Sequence, residues 1–446
     1  MQNTFGKRNW WILILFGLIG QIAWSVENMY FNLFVYDTIS PNLDVVTLMV
    51  QLSGIAATLT TLVAGTLSDK TGNRRSYISY GYLIWGFTVA MFGFLSVDGV
   101  QSLFGIEQTQ AITFTLALVV VGDCVMTLFG STANDAAFNA WVTDNTEEQF
   151  RGKVEGVIAV LPLIAMLIVA GGFGILVEAI GYKALFLSLG IVITLCGAAG
   201  IFLIKDSPLL TKNGSFKDIV YGFKPSVVKN NKPLYLTLCV VGVYGIACQI
   251  FMPYLIIYMQ TYLGFTTVEY SVVFGLAIVV GAGINLYLTR LSDKKDKTSM
   301  LYVAAAILAV GLLGMYFAQS GGKTALLIFF GLFGCIMITG YILVSALCGS
   351  ILRDYTPVGV VGKMQGVRMV FSVLIPMLFG PMIGNAINAS MNIPLPNVDT
   401  SADAMTTKYI PAPEIFLAAA IATLVIFALI PLLKKVTNKE KENAEN

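Results

Sequence analysis

Residues 65–75 read "GTLSDKTGNRR" and join two long apolar runs of the chain. The stretch holds one acid, three bases and two glycines. Glycines near a lysine can form a phosphate-binding loop, but no strand precedes them, and the order of Gly, Lys and Ser/Thr that such a loop requires is absent. The stretch therefore predicts a tight turn between two membrane helices.

The composition is that of a membrane protein. The 446 residues are 57% hydrophobic and only 12% charged, with a mean hydropathy of +0.79, whereas soluble domains carry about 25% charged residues. Apolar stretches long enough to cross ~30 Å of hydrocarbon recur along the whole chain. The period-two alternation of a β-barrel is absent. We therefore expect an all-α membrane protein.

Twelve apolar segments are predicted to cross the membrane. Numbered in order as spans 1 to 12, they are 10–36, 44–67, 75–96, 111–142, 151–178, 182–204, 234–260, 267–290, 299–318, 324–350, 362–388 and 413–433.

The positions of Lys and Arg predict the orientation. With the N-terminus in the cytoplasm, 23 of the 27 basic residues fall in the tails and the cytoplasmic connections. Lys183, Lys323 and Lys408 lie outside these regions, and Arg368 lies within a span. This asymmetry agrees with the positive-inside rule. We expect a multi-pass protein of the plasma membrane with both termini in the cytoplasm.

The chain repeats itself. "LSDK" at 67–70 recurs at 291–294, and residues 144–157 match residues 354–367 at six of fourteen positions. The matches occur in the same order and at the same connections of each half. Parallel six-helix repeats are a transporter architecture.

The repeat predicts four regions. They are an N-terminal six-helix bundle (1–204), a cytoplasmic linker (205–233), a C-terminal six-helix bundle (234–434) and a cytoplasmic tail (435–446).

Residues 65–75 resemble the signature of the major facilitator superfamily between helices 2 and 3. Gly65, Asp69, Lys70, Gly72 and the pair Arg74 and Arg75 fill its positions. The resemblance covers essentially the whole chain and implies twelve helices in two pseudo-symmetric bundles, working by alternating access.

Residues 134–153, "NDAAFNAWVTDNTEEQFRGK", loosely resemble the glycoside–pentoside–hexuronide:cation symporter branch. Melibiose-type members of that branch carry acidic residues in helix 2. Span 2 has none between Asp44 and Asp69, so their sodium site is not expected here.

The resemblance implies that Asp69 braces the first half against span 11 when the cytoplasmic side is closed. Span 11 begins near Gly362, where the helix dipole favours a carboxylate. Gly65 is expected to permit the close approach of a neighbouring helix. Gly72 is expected to adopt a positive φ. The predicted conformational gate comprises Gly65, Asp69, Lys70, Gly72, Arg74, Arg75, Arg151, Asp293 and Gly362.

Two carboxylates lie inside predicted spans. Glu27 is 17 residues after Trp10 in span 1, and Asp123 is near the middle of span 4. An ionised carboxylate is costly within a bilayer and faces a partner or a cavity. We interpret Glu27 and Asp123 as ion-coupling residues, with H+ as the expected ion and Na+ as the alternative. A purely structural role is the competing interpretation for each.

Other polar residues within spans predict a neutral cavity for hydroxyl-rich ligands. Interhelical hydrogen bonding is the alternative for each of them alone. The candidate substrate-binding residues are Trp24, Asn28, Asn32, Asn134, Asp135, Asn139, Gln249, Tyr254, Asn285 and Tyr341.

Together these features predict a cation-coupled importer of a small polar solute such as a sugar or glycoside. The alternative is a proton-driven exporter of lipophilic drugs. The chain has no histidine and no nucleotide or metal motif, so neither an enzyme nor a cofactor is expected. The six cysteines lie in apolar spans and are interpreted as small buried hydrophobes. The expected partners are a small molecule and the lipid bilayer, without nucleic acid, and the expected state is a monomer.

Overall fold

The computed structural model describes residues 5–147, 150–207, 215–292, 296–319, 321–356, 361–395 and 409–445. Nearly all of these residues are helical. Within the same ranges, extended pairing is confined to one isolated bridge between Pro394 and Tyr409.

Twelve long helices, labelled α1 to α12, follow one another along the chain. They are α1 (Lys7–Thr38), α2 (Leu43–Thr71), α3 (Arg74–Phe92), α4 (Gln108–Asn145), α5 (151–180), α6 (182–203), α7 (Lys232–Thr261), α8 (Thr267–Ser292), α9 (Lys297–Phe317), α10 (Lys323–Tyr355), α11 (361–391) and α12 (Glu414–Glu445).

Ten helices in the described part of the chain are individually long and apolar enough to cross a membrane. One of them, Gly156–Leu203, has 48 residues, or roughly 72 Å at ~1.5 Å per residue. It breaks at Gly181, where φ is 75° and ψ is 163°, and so supplies two crossings. Counting α3 as well gives twelve, and each predicted span coincides with one helix.

A short helix that the sequence analysis did not identify follows α3. Val97–Phe104 is bent by 85° from α3 and lies in the connection to α4. Ser96 caps its N-terminus by accepting from the Gly99 N–H, and Gly105 ends it with φ of 64°.

The chain divides into two compact units. Among the described residues, unit 1 ends at Asp218 and unit 2 begins at Ile219. This boundary lies within the predicted linker, 205–233. Unit 1 therefore holds α1 to α6, and unit 2 holds α7 to α12.

The same helix pairs pack together in each unit. In unit 1 they are α1 with α5, α2 with α4, and α3 with α6. The corresponding pairs in unit 2 are α7 with α11, α8 with α10, and α9 with α12. Each helix of unit 1 thus corresponds to the helix six positions later in unit 2, and the two make the same packing contacts within their own unit.

The α3–α6 contact is lined by glycines. A Cβ on Gly86 of α3 would lie 2.5 Å from the Gly190 carbonyl oxygen, and a Cβ on Gly197 of α6 would lie 2.5 Å from the Leu83 nitrogen. Real Cβ atoms do not approach other atoms so closely. The backbones of α3 and α6 therefore lie in direct contact.

Candidate functional site

The turn between α2 and α3 ends one helix and starts the next within two residues. Gly72 has φ of 63° and its N–H bonds to the Ser68 carbonyl, while Asn73 caps α3 by accepting from the Ser76 N–H. The positive φ expected of Gly72 is confirmed. The close approach expected at Gly65 is wrong, because a Cβ there would meet Ala136 at 4.0 Å, an ordinary contact distance.

Arg74 organises the charged side chains of this turn. Its side chain is only 4% exposed. It donates to Asp144 Oδ2 at 3.0 Å, to Ser68 Oγ at 2.5 Å and to Asp69 Oδ1. The start of α3 is thereby fixed to the end of α2 and the end of α4. Asp69 pairs with Arg74 inside unit 1, and its expected contact with α11 in the closed state stays a prediction.

Arg75 contacts α6 and not Asp69 or Asp144, the carboxylates that pair with Arg74. Its guanidinium donates to the Ile201 carbonyl at the end of α6, and its N–H donates to Asp206 Oδ1 at 2.8 Å. Lys70 is exposed. The two adjacent arginines therefore hold α3 to different helices.

The second half has an equivalent ion pair. Lys297, at the start of α9, lies 2.5 Å from Asp354 Oδ2, at the end of α10. Asp354 is the residue that the sequence repeat aligns with Asp144. The side chains of the pair in unit 2 are 38% and 49% exposed, whereas in unit 1 the cation is buried and its partners Asp144 and Asp69 are 22% and 46% exposed.

Three predicted gate residues have no described side chain. Asp293 lies outside the described residues. Arg151 and Gly362 lie in α5 and α11, and their surroundings are likewise not described.

Four of the candidate residues of unit 1, Glu27, Asn28, Asn134 and Asp135, lie in irregular turns of their helices. α1 has a π-helical stretch at Glu27–Phe31, and α4 has one at Ser131–Phe138. π-helical turns are frequent at functional sites, although the π-helical stretch Val169–Phe173 of α5 carries no candidate residue. They widen the helix locally and free backbone carbonyls for other donors.

In α1, asparagine side chains donate hydrogen bonds to backbone carbonyls one turn earlier in the helix. Asn28 Nδ2 donates to the Trp24 carbonyl at 2.8 Å, and Asn32 Nδ2 donates to the Asn28 carbonyl at 3.1 Å. Each amide then keeps its carbonyl oxygen for another partner. Asn28 is exposed and Asn32 is buried.

The two candidate ion-coupling carboxylates come together. Thr127 of α4 donates to Glu27 Oε1 at 3.1 Å, which joins α1 to α4. Glu27 Oε2 and Asp123 Oδ1 are both buried, and neither has a hydrogen-bond partner among the described residues. Asp123 is only 2% exposed, and an ionised carboxylate with an unpaired oxygen is costly in such a place.

A small cavity opens beside these carboxylates. Its volume is about 10 Å³, which is about the space that one water molecule needs. It is lined by Glu27, Asn28, Phe31, Asn32, Val50, Ser53 and Asp123, from α1, α2 and α4.

Asp135 forms a second polar cluster on α4. Ser131 donates to its Oδ2 at 3.0 Å and Asn134 donates to its Oδ1 at 3.2 Å. The single hydroxyl proton of Tyr82 in α3 is shared between Asn134 Oδ1 at 3.0 Å and the Phe16 carbonyl at 2.8 Å. Both oxygens of the Asp135 carboxylate thus accept a hydrogen bond, whereas Glu27 accepts one at Oε1 only.

Two predicted residues lie at the edge of this cluster. The Trp24 indole N–H faces Asp135 outside hydrogen-bond geometry, and its ring packs on Trp85 with centroids 5.0 Å apart. Asn139 is exposed and donates to the Asp135 carbonyl at 3.1 Å.

The predicted residues of unit 2 are largely engaged by neighbouring helices. Tyr254 is fully buried and donates to the Pro381 carbonyl of α11 at 2.9 Å, and Asn285 donates to the Thr339 carbonyl of α10 at 2.7 Å. Tyr341 accepts at its backbone carbonyl from Tyr244 Oη at 3.0 Å. Gln249 packs against Gly380 of α11.

Sequence reasoning missed the hydroxyl groups that serve the carboxylates. Asp123, Thr127, Ser131 and Asp135 recur every four residues along α4. Residues at this spacing share a helix face, so the pattern was available. Ser53 and Tyr82 carry no comparable signal.

The described residues contain no cluster of three or more His, Cys, Asp or Glu that could hold a metal ion. The six cysteines are free thiols, half-buried or buried.

Twelve apolar helices in two matching units, with carboxylates buried among them, define a membrane transporter. The family model of the major facilitator superfamily matches residues 12–381, and the chain belongs to that superfamily. No curated protein matches the sequence.

Solved transporters share the fold at low identity. A bacterial homologue of the human lysosomal transporter Spinster, in an inward-facing and unoccupied conformation, matches with a TM-score of 0.65 at 13% identity, over 98% of this chain and 99% of that one. The nucleoside transporter NupG matches with a TM-score of 0.62 at 12% identity, over 95% and 98%. At these identities the likeness shows the fold alone.

Proposed function

We propose that this protein is a cation-coupled secondary transporter that imports a small polar solute such as a sugar or glycoside. Glu27 and Asp123 bind the coupling ion, H+ first and Na+ as the alternative. The solute contacts the polar residues of the two clusters in unit 1, namely Trp24, Asn28, Asn32, Asn134, Asp135 and Asn139.

The observation that carries this proposal is the pair of unpartnered carboxylate oxygens on Glu27 and Asp123. A permanent structural role would be expected to pair them with donors, as Ser131 and Asn134 do for Asp135. Groups that gain and lose a cation in each cycle need oxygens that stay available. Their acceptor-rich cavity suits a proton or a small cation better than an anion.

The candidate solute residues favour a hydroxylated ligand. Amide and carboxylate oxygens beside an indole ring are suited to hydroxyl groups and to the apolar face of a sugar. NupG is a transporter of nucleosides, which also carry a sugar, although the fold alone does not select a substrate. Tyr254 and Asn285 are not among the proposed contacts, because the Tyr254 hydroxyl and the Asn285 amide N–H already donate to neighbouring helices.

The test is uptake into proteoliposomes under an imposed pH or sodium gradient, across a panel of sugars, glycosides, nucleosides and lipophilic drugs. We expect Glu27→Gln to abolish gradient-driven accumulation while solute exchange at equal concentrations persists. The neutral amide keeps the shape of the carboxyl but cannot exchange a cation.

Asp98→Asn is the matched control, because Asp98 is exposed in the connection after α3. It should leave accumulation unchanged. Uphill uptake that survives in Glu27→Gln would contradict the coupling role. Efflux of lipophilic drugs without uptake of any polar solute would support the exporter alternative instead.

We further propose that the α2–α3 turn acts as a conformational gate. Asp69 is 46% exposed although it pairs with Arg74, so it can exchange that partner during the cycle. Asp69→Asn is expected to reduce turnover more than solute binding, measured as uptake rate against binding affinity. Equal loss of both would count against a gating role.

A further inference from the structure

The segment that precedes α7 carries a charge pattern that transport does not explain. Residues 220–232, which we call the lysine segment, read "VYGFKPSVVKNNK" and contain three lysines and no acidic residue. The backbone forms a 3-10 turn at Tyr221–Phe223 and a short helix at Pro225–Asn230. We propose that the lysine segment binds the acidic headgroups of the adjoining lipid leaflet.

The lysine segment is fixed to unit 2. Val227 is only 9% exposed and belongs to a core cluster with Leu234, Leu352, Met364 and Val367. Tyr235 of α7 donates to the Gly222 carbonyl, and Gly222 packs directly on Val367 of α11. The segment therefore cannot swing away from the ends of α7, α10 and α11.

This attachment sets its depth in the membrane. The segment ends at Lys232, where α7 starts its crossing. Headgroup layers extend roughly 5–8 Å beyond the hydrocarbon on each side of the bilayer. A segment held against the first turn of a membrane helix lies at that level.

Its outward side combines apolar and basic groups. Val220, Phe223 and Val228 are 58%, 43% and 37% exposed, and Lys224, Lys229 and Lys232 are exposed as well. Exposed apolar side chains interleaved with lysines are typical of segments that lie in the membrane interface. The apolar groups enter the boundary of the acyl chains while the ammonium groups stay among the headgroups.

The positive charge of the lysine segment determines which lipid headgroups it binds. Three ammonium groups without a nearby acidic residue in the segment favour a negatively charged lipid over a zwitterionic one. Near an acidic membrane surface each lysine contributes about a fivefold gain in binding. The lysines reach that surface while the backbone stays anchored to unit 2.

Native mass spectrometry of the purified full chain tests the proposal, with phosphatidylglycerol and phosphatidylcholine of matched acyl chains as probes. We expect the protein to retain phosphatidylglycerol preferentially. Changing Lys224→Gln and Lys229→Gln together should weaken that retention roughly twentyfold or more, and raised salt should have the same effect because it screens exposed charges.

The matched control changes Lys435→Gln and Lys439→Gln, two exposed lysines in the last turns of α12 where glutamates are also present in the sequence. It removes the same charge but should leave retention unchanged. Equal retention by both double variants, or equal loss, would overturn the proposal. So would equal binding of the two lipids by the unaltered chain.

A second measurement locates the contact without relying on charge. Phe223→Trp should add fluorescence that brominated acyl chains quench in vesicles containing phosphatidylglycerol. Added fluorescence that brominated lipids leave unquenched would contradict contact with the bilayer. A response that follows protein concentration instead of lipid would place a second copy of the chain on this surface, and would equally overturn the assignment.

Discussion

Tyr82 shows how one side chain can hold the polar interior of unit 1 together. It is fully buried, and its hydroxyl serves two acceptors, the Phe16 carbonyl of α1 and Asn134 Oδ1 of α4. A buried acceptor that loses its donor keeps the full cost of desolvation. The position of Asn134, and through it of Asp135, therefore depends on a residue of a third helix.

Tyr82→Phe should accordingly destabilise the protein by about 1–2 kcal/mol, seen as a lower midpoint of thermal unfolding in detergent. Tyr80→Phe is the matched control, because Tyr80 is 56% exposed on the same helix and should unfold like the unaltered chain. Equal midpoints for the two variants would show that the hydroxyl of Tyr82 is dispensable.

The two repeat-related ion pairs should differ in strength because only Arg74 is a buried cation. Arg74→Gln leaves the partly exposed Asp69 and Asp144 without their shared partner and should cost about 1–3 kcal/mol. Lys297→Gln breaks the exposed pair with Asp354 and should cost less than about 1 kcal/mol. Denaturation of both variants in the same detergent compares them, and similar losses would contradict the dependence on burial.

The sequence predicted the acidic members of the site better than their partners. Glu27 and Asp123 stand out because a carboxylate in an apolar run is costly, whereas Thr127 and Ser131, whose hydroxyls donate to Glu27 and Asp135, are common residues in membrane helices. Which oxygens remain unpaired depends on the packing of α1 against α4. Asp69 illustrates the same limit, because its charge was evident but its pairing with Arg74 was not.

At the scale of helices, glycine decides how closely α3 and α6 approach. The sequence shows many glycines, 43 in all, but not which ones face another backbone. Gly86 does face another backbone, because a Cβ added to it would lie 2.5 Å from the Gly190 carbonyl oxygen. Gly283, in α8, has no atom within 4 Å of the equivalent position.

Gly86→Ala should therefore force α3 from α6 and lower stability by about 1–3 kcal/mol. Gly283→Ala should be neutral or stabilising by up to about 1 kcal/mol, since alanine loses less backbone entropy in a helix. Thermal unfolding of the two variants side by side gives the comparison. A destabilised Gly283→Ala, or an unaffected Gly86→Ala, would argue against the backbone contact.

Helix positions followed from the sequence because apolar length is an intrinsic signal, whereas helix irregularities did not. At the π-helical stretches Glu27–Phe31 and Ser131–Phe138, Asn28, Asn32 and Asn139 donate to backbone carbonyls four residues earlier in the same helix. Glu27, Asn28, Asn134 and Asp135 of the candidate site lie in these two stretches.

For the whole molecule, duplication explains both the likeness and the difference of the two units. The pairs α1–α5, α2–α4 and α3–α6 recur as α7–α11, α8–α10 and α9–α12, so packing of the core is shared. Unit 1 brings Glu27, Asp123 and Asp135 into its interior, whereas the candidate residues Gln249, Tyr254 and Asn285 of unit 2 are neutral. Among the candidate site residues, the acidic side chains thus lie in unit 1.

The distribution of basic residues predicts the orientation of the whole chain in the membrane. With the N-terminus inside and twelve crossings, the helix Val97–Phe104 lies outside the cell and the lysine segment lies inside. A membrane-impermeant maleimide should label Asp98→Cys in intact cells and Lys224→Cys only after permeabilisation, above the signal of the six native cysteines. Because lysines are retained on the cytoplasmic side during insertion, the reverse pattern would require an inverted chain, and labelling of both in intact cells would require a different number of crossings between them.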